Sequence, residues 1–184
     1  KLDMLRVPRI TERSQVADEH GKIFDSITSS RGRVSGPFSV LLNSPETAGR
    51  AAHLGAYLRF DSTLPDDQRE LAIITAAREF DCDYEWSAHK GLAQQAGVRD
   101  EAIEIVANKG SVDSLTSEEA TIISYGRELF QDHRVSDSTF DAAKEMFGEQ
   151  GVTELTAPMG YYGMLACALN AFQVEPAPDA PRLP

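Results

Sequence analysis

The sequence predicts a single all-α domain, a helical bundle, and three observations support this prediction. Apolar residues recur at helical spacing along the 184 residues, as in Leu71, Ile74 and Ala77. We find no convincing run of alternating polar and apolar residues, which is the pattern of a half-buried strand. The length fits one domain, and 41% hydrophobic residues are enough for a core.

The first predicted element is a helix over residues 14–29, which follows a basic arm at residues 1–13. Residues 30–37 are rich in Gly and Ser and end in a proline, so we expect a loop there. The next helix should start after Ser44, because serine is a good N-cap residue and Pro45 suits the first helical position.

The middle of the chain has clear helix boundaries. Pro65 presets the first turn of a helix, and Asp66 and Asp67 suit the positive end of its dipole. We expect this helix to break near Asp81, and the next one to run over residues 82–96 before Gly97 stops it. Further helices are predicted over residues 100–107, 117–130, 136–147 and 152–172, the last interrupted near its start by Pro158 and Gly160.

The last residues, 174–184, contain four prolines and are expected to form a loose tail. The predicted organisation has three parts. An N-terminal arm and first helix occupy residues 1–29, a helical domain residues 30–175, and a Pro-rich tail residues 176–184.

The formal net charge of −11 argues against nucleic acid and against an anionic membrane surface as partners. It does not exclude a small anionic substrate, because the local charge of a pocket can differ from that of the whole chain. The longest apolar-rich stretch, residues 159–172, is too short to cross a bilayer, and no signal peptide is visible. Two cysteines are too few for a disulfide framework, so we expect a cytoplasmic protein.

Candidate chemistry is concentrated between residues 69 and 97. Cys82, Glu85 and His89 are spaced i, i+3 and i+7 and therefore share one helical face. Glu85 is close enough to His89 to orient its imidazole, as a general acid or base requires. Glu70 lies on the apolar stripe of the preceding helix, where burying a carboxylate costs free energy unless it is paired. It belongs either to a site or to an ion pair with an arginine at the edge of the stripe.

Each of these residues also has an ordinary structural interpretation. A Glu–His pair four residues apart is common on exposed helix faces, and a single cysteine such as Cys82 is often a small buried hydrophobe. As a catalytic residue, Cys82 could have a lowered pKa near a helix N-terminus. Trp86, Tyr84 and His53 are the predicted substrate-binding residues, although His53 also fits a core or an interface.

A metal site is an alternative, because Glu70, Glu85 and His89 could form a carboxylate-rich site between helices. The sequence has no Glu-x-x-His, Cys-x-x-Cys or His-Glu-x-x-His motif. It also lacks a Gly-rich phosphate loop. We therefore predict no metal and no organic cofactor.

The stretches RELAI at 69–73 and CDYEWSAH at 82–89 resemble the core of the carboxymuconolactone decarboxylase and alkylhydroperoxidase-D-like family. The specific part is the spacing of Glu70, Cys82 and His89. The similarity covers roughly residues 30–175. The flanking segments that agree are GPF at 36–38, NSPE at 43–46, VTEL at 152–155 and NAF at 170–172.

The resemblance implies one of two chemistries. In the peroxidase-like branch, a Cys-x-x-Cys pair reduces hydroperoxides while a Glu and a His relay protons. Here Glu85 replaces the second cysteine, so Cys167, which we expect to be buried, or an outside thiol would have to resolve the intermediate. The decarboxylase branch lacks the dithiol and carries a Glu-x-x-x-His arrangement, which Glu85 and His89 resemble.

The resemblance thus favours a cofactor-independent decarboxylase, or a related lyase or isomerase, acting on a small carboxylated lactone or oxidised acid. His89 would donate the proton and Glu85 would orient the His89 ring. Glu70 would be a second proton shuttle or would control the polarity of the site. The alternatives are a Cys82-dependent hydroperoxide reductase and a non-catalytic helical oligomer with a relic site. The family also implies a homotrimer or homohexamer.

Overall fold

The computed structural model describes residues 5–184, and most of that length is helical, with no β-strand among these residues. The predicted all-α class is therefore confirmed. Within the described part of the chain, eight α-helices follow one another: α1 (Gly21–Arg31), α2 (Pro37–Leu41), α3 (Pro45–Ala56), α4 (Asp66–Glu79), α5 (Asp83–Ala96), α6 (Asp100–Ala107), α7 (Ser117–Gln131) and α8 (Asp137–Phe172). A π-helical turn, Tyr57–Asp61, continues α3.

Several helices begin and end where local signals predict. Pro45 is the first residue of α3, and Pro65 directly precedes α4. Gly97 ends α5 with φ 99°, a left-handed conformation that glycine adopts without strain. Helix α7 begins at Ser117, as predicted, and Thr116 caps it by accepting from the backbone N–H of Glu119.

The predicted first helix at residues 14–29 is wrong in its first half. Short 3₁₀ turns occupy residues 13–15 and 18–20, and the α-helix starts only at Gly21. Between the turns, Val16 is extended and buried, so its packing outweighs the local helical preference.

The last long helix also differs from its prediction. The predicted break after residue 147 is confirmed, because Gly148 interrupts α8 with φ 68°. The predicted interruption at Pro158 and Gly160 is wrong, because the chain remains helical through both. Pro158 is buried inside α8, where packing on its neighbours stabilises the helix despite the missing N–H.

The prediction of a loose tail is wrong as well. Val174 is buried, and Leu183 packs against the main core. The Arg182 guanidinium lies 3.1 Å from the carboxylate of Asp83 at the start of α5. The predicted arm lies partly outside the described residues, which begin at residue 5, but Ile10 within it is buried in the core.

Helix α4 is central and packs against α5, α7 and α8. Residues 69–77 are buried without interruption, so this helix has no solvent face there. One side of α4, including Ile74, joins a core formed with α5, α6 and α7, and the other side, including Ile73, joins α1, α3 and α8. Polar side chains of α4 and α5 lie close to the seam between these two cores. Among the described residues, no helix is long and apolar enough to cross a membrane.

Candidate active site

A buried hydrogen bond connects α4 to α5. Oε2 of Glu70 lies 2.8 Å from Nδ1 of His89, and both residues are 5% exposed. A carboxylate can only accept, so Nδ1–H of His89 is the donor. This bond fixes both the orientation of the ring and the nitrogen that carries its proton.

Glu85 lies on the opposite side of the same ring. Its Oε2 is 3.6 Å from Nε2 of His89, which is longer than a hydrogen bond. Glu85 is only 3% exposed, and its Oε1 has no hydrogen-bond partner in residues 5–184. Burial raises the pKa of Glu85, although the charges of His89 and Arg59 oppose this shift. Glu85 therefore holds its proton more tightly than an ordinary glutamate.

This geometry reassigns the partners of His89. The hydrogen bond that orients the ring comes from Glu70, which makes the only hydrogen bond to it within the described chain, while Glu85 lies within ion-pair distance of Nε2. Among the described residues Glu70 makes no ion pair with an arginine, and its neighbour Arg69 bonds Asp66 at 2.8 Å instead. Sequence spacing could not reveal the bond from Glu70, because its partner lies on another helix. Across residues 5–184, no group of three or more His, Cys, Asp or Glu side chains is arranged to hold a metal ion.

Two tyrosines of α8 pack beside the histidine. The Tyr162 ring meets His89 edge to face, with centroids 4.9 Å apart, and burial raises the Tyr162 pKa. Tyr161 is buried next to it and donates to the carbonyl of Ala51 at 2.9 Å. Both side chains therefore act as core residues and as walls of the space in front of His89.

Glu85 and His89 both line a cavity of about 260 Å³, whereas Glu70 does not, so this cavity lies on the Glu85 side of the ring, where Nε2 is. The other residues that line it include three arginines. These arginines, Arg31, Arg33 and Arg59, place positive charge in a chain whose net charge is −11. The cavity is thus suited to a small anion, whereas the molecule as a whole repels anions.

The rim of this cavity depends on a close contact at Gly36. Its φ of 55° favours glycine, and a Cβ there would lie 2.8 Å from the Tyr84 ring. Tyr84 itself lines the cavity, so the structure places this predicted substrate-binding residue at the site.

The three arginines were missed by the sequence analysis. Arg31 and Arg33 lie at the end of α1 and in the loop after it, and Arg59 lies in the π turn. The signal that could have identified Arg59 is a cation between the apolar neighbours Leu58 and Phe60. None of the three lies within the 69–97 stretch that contains the predicted catalytic residues.

Cys82 does not line the cavity. Its side chain is fully buried in an apolar cluster with Val40, Ala166 and Leu169. Burial raises the pKa of Cys82 to about 11, although the backbone N–H groups at the start of α5 oppose this. The predicted lowering of this pKa is therefore wrong, because desolvation of the thiolate outweighs the helix N-terminus.

The second cysteine is also placed differently from its prediction. Cys167 is exposed, although we expected it to pack in an apolar helix. It follows Ala166 by one position, and one residue turns a helix by roughly 100°. Ala166 faces the Cys82 cluster, so Cys167 faces away from it.

Two other predicted contacts lie elsewhere. Trp86 is 1% exposed and packs in the main core, because it is rotated along α5 away from its neighbour Glu85. His53 is exposed and lines a separate cavity with Ile23 and Arg50. Neither residue lines the cavity in front of His89.

Residues 45–127 match the model of the carboxymuconolactone decarboxylase family. The sequence matches no curated protein. Three solved structures are similar over nearly the whole chain. The first is an alkylhydroperoxidase AhpD core, an uncharacterized peroxidase-related protein from Ralstonia eutropha JMP134, with a TM-score of 0.75, 17% identity and coverage of 95% of this chain and 93% of that one.

The second is the debrominase Bmp8 in complex with 2,3,4-tribromopyrrole, with a TM-score of 0.74, 14% identity and coverage of 94% and 92% of the two chains. The third is an uncharacterized peroxidase-related protein from Silicibacter sp. TM1040, with a TM-score of 0.72, 13% identity and coverage of 97% of each chain. At these identities the likeness shows a shared fold. The resemblance seen in the sequence is confirmed: residues 45–127 match the model of the carboxymuconolactone decarboxylase family, and the chain has an AhpD-like fold.

Proposed function

We propose that this protein is a cofactor-independent acid–base enzyme that decarboxylates or isomerises a small carboxylated molecule. The observation that carries this proposal is a chain of three buried groups, Glu70, His89 and Glu85, which ends at a cavity lined by arginines. These three groups can hold and deliver a proton, and the arginines can bind the anionic substrate that receives it.

The proposed roles follow from the geometry. Glu70 holds the ring through Nδ1 and does not line the cavity that Glu85 and His89 share with the three arginines. The Nε2 atom of His89 and the carboxyl group of Glu85 face the substrate, so these two groups exchange the proton. Because burial raises the pKa of Glu85, it is available as an acid closer to neutral pH than an exposed glutamate.

For a carboxylated unsaturated lactone, the C–C bond to the carboxylate breaks and CO₂ leaves. The electron pair of that bond moves into the conjugated carbonyl, and a guanidinium stabilises the resulting enolate oxygen. The proton then passes from the His89–Glu85 pair to carbon, and water restores it to the pair. An isomerisation would use the same groups, first removing a proton from carbon and then returning it elsewhere.

The hydroperoxidase alternative has less support. It needs a thiolate that peroxide can reach, whereas Cys82 is fully buried and its pKa is raised to about 11. A second cysteine is missing at position 85, and Cys167 faces away from the Cys82 cluster.

The homotrimer or homohexamer implied by the family remains a prediction. An apolar strip on α3 and the π turn would suit a subunit contact, because Leu54, Tyr57 and Phe60 are 48%, 45% and 60% exposed. Light scattering of the purified protein would measure the subunit number.

The test of the proposed function is turnover of 4-carboxymuconolactone, followed by ultraviolet absorbance and CO₂ release. We expect wild type to react and His89→Gln to lose at least about 100-fold in kcat, the usual contribution of a positioned acid or base. His53→Gln is the matched control, because His53 is exposed and lines a different cavity. No turnover by folded wild type would exclude this reaction, and an active His89→Gln would exclude the role of His89.

A further inference from the structure

A second buried carboxylate, Glu154 of α8, is surrounded by hydrogen-bond donors. It is 5% exposed and accepts from the hydroxyl of Tyr57 at 2.7 Å and from the backbone N–H of Thr63 at 2.8 Å. The Thr63 hydroxyl and the Gln150 amide donate to it as well. Glu154 does not line the arginine-rich cavity, so any effect on that cavity must pass through the groups that it binds.

The main donors lie at the two ends of one short segment. Tyr57 begins the π turn, and Thr63 follows its end by two residues. Both therefore attach the segment 57–63 to α8 through one carboxylate. Such π turns are uncommon and often occur at functional sites.

Arg59 lies in the middle of this attached segment. It lines the cavity in front of His89, and it also lines a second cavity of about 430 Å³ that Glu70 borders. Within residues 5–184 its guanidinium has no ion-pair or hydrogen-bond partner, and it lies over the Phe60 ring, 5.3 Å from the ring centroid. The position of this half-buried cation is therefore set by the backbone that carries it.

We propose that Arg59 binds the anionic group of the substrate and that Glu154 is a positioning residue that fixes Arg59 for this contact. The inference rests on the proposed function in that it takes the ligand to be a small carboxylate. The three closest donors to Glu154 hold the segment from both ends, so removing its charge frees the backbone on both sides of Arg59. The pKa of Glu154 fits this role. Burial opposes ionisation, but the hydrogen bonds from Thr63 and Tyr57 lower the pKa to about 2, so the carboxylate is charged near neutral pH.

A double-mutant cycle tests the proposal, with cis,cis-muconate as an unreactive dicarboxylate probe and calorimetry as the readout. We expect Glu154→Gln to weaken muconate binding about tenfold in the wild-type background. In the Arg59→Gln background the same change should have almost no further effect on muconate binding, because the guanidinium that Glu154 positions is already absent. Glu149→Gln is the matched control, since Glu149 is an exposed glutamate of the same helix.

Equal weakening in both backgrounds would overturn the proposal, because Glu154 would then act on something other than Arg59. Unchanged affinity in Glu154→Gln, or no muconate binding by wild type, would also overturn it. If Glu154→Gln does not fold, Tyr57→Phe removes one of the hydrogen bonds and must show a smaller effect with the same dependence on Arg59. Muconate binding without turnover of 4-carboxymuconolactone would remove the proposed reaction and leave this inference standing.

Discussion

Glu85 and Glu154 are both nearly inaccessible to solvent, but they differ in their hydrogen-bond partners and in the direction of their pKa shifts. Glu85 is 3% exposed, its Oε1 has no partner among residues 5–184, and burial raises its pKa. Glu154 is 5% exposed and accepts hydrogen bonds from three neighbouring residues. At Glu154 burial acts in the same direction, but the bonds from Thr63 and Tyr57 outweigh it and lower the pKa to about 2.

The difference shows that burial alone does not assign a role to a carboxylate. A buried carboxylate with a full set of donors stabilises the fold and remains charged. A buried carboxyl group with an unsatisfied oxygen costs free energy, and proteins commonly retain such a group where it serves a function. On this basis we propose that Glu85 takes part in the chemistry and that Glu154 supports the surrounding structure.

The largest expected effect is on turnover. Glu85→Gln keeps the shape of the side chain and removes its proton exchange, so we expect kcat for 4-carboxymuconolactone to fall at least about 100-fold. The free energy of unfolding, measured with urea, should not fall, because an unsatisfied buried group has been replaced by a neutral one. Full activity, or a marked loss of stability, would contradict the division between the two glutamates.

The second effect is on stability. Glu154→Gln replaces an acceptor of charge-assisted bonds with an amide whose NH₂ group cannot accept from Thr63 or Tyr57. We expect the free energy of unfolding to fall by about 2 kcal/mol, the scale of hydrogen bonds to a charged group. Urea denaturation beside Glu149→Gln would measure it. Equal stabilities in these two variants would show that the cluster around Glu154 contributes little.

The pH dependence of stability should separate the two residues further. The pKa of Glu154 in the folded protein is lowered. Its contribution to the free energy of unfolding is therefore present above the ordinary carboxyl pKa and is lost as the pH falls towards about 2. The folded pKa of Glu85 is raised, so its contribution is present below the ordinary value and is lost as the pH rises through the folded value.

Denaturation of the two variants at pH 7 and pH 3 would test these signs. The deficit of Glu154→Gln relative to wild type should shrink at pH 3. Any increase in the free energy of unfolding caused by Glu85→Gln should be greater at pH 7 than at pH 3. The opposite trend in either variant would mean that the direction of its pKa shift has been misassigned.

The smallest expected effect concerns the buried thiol. Because Cys82 is fully buried and its pKa is raised to about 11, Cys82→Ala should change kcat by no more than about twofold, well below the effect of a catalytic group. In the folded protein, Ellman's reagent should label Cys167 rapidly and Cys82 only after unfolding. The variant Cys167→Ser identifies the fast thiol. Rapid labelling of Cys82 would return the hydroperoxidase to consideration.

The helix boundaries that were predicted correctly depend on local backbone constraints. Pro45, Pro65 and Gly97 restrict their own dihedral angles, so the sequence near them is sufficient. The errors occurred where distant packing decides. Val16 is extended because its side chain is buried, and the tail is ordered because Leu183 packs on the main core.

The same distinction between local and distant contacts applies to the candidate site. Glu85 and His89 share one helix, so their four-residue spacing was enough to predict that they lie close together. The bond from Glu70 to His89 joins two helices, and the cavity takes Arg59 from a third element. Such contacts depend on the packing of the bundle, which local spacing does not encode.

The central claim is that Glu70 holds His89 through Nδ1 and leaves Nε2 to exchange protons at the cavity. The most direct test is a long-range ¹H–¹⁵N spectrum of the histidine rings, with His89→Gln used to assign the His89 signals. We predict that Nδ1 carries a proton in the free protein and with muconate bound, while any change in protonation occurs at Nε2. A neutral ring with its proton on Nε2 and a bare Nδ1 would contradict the account.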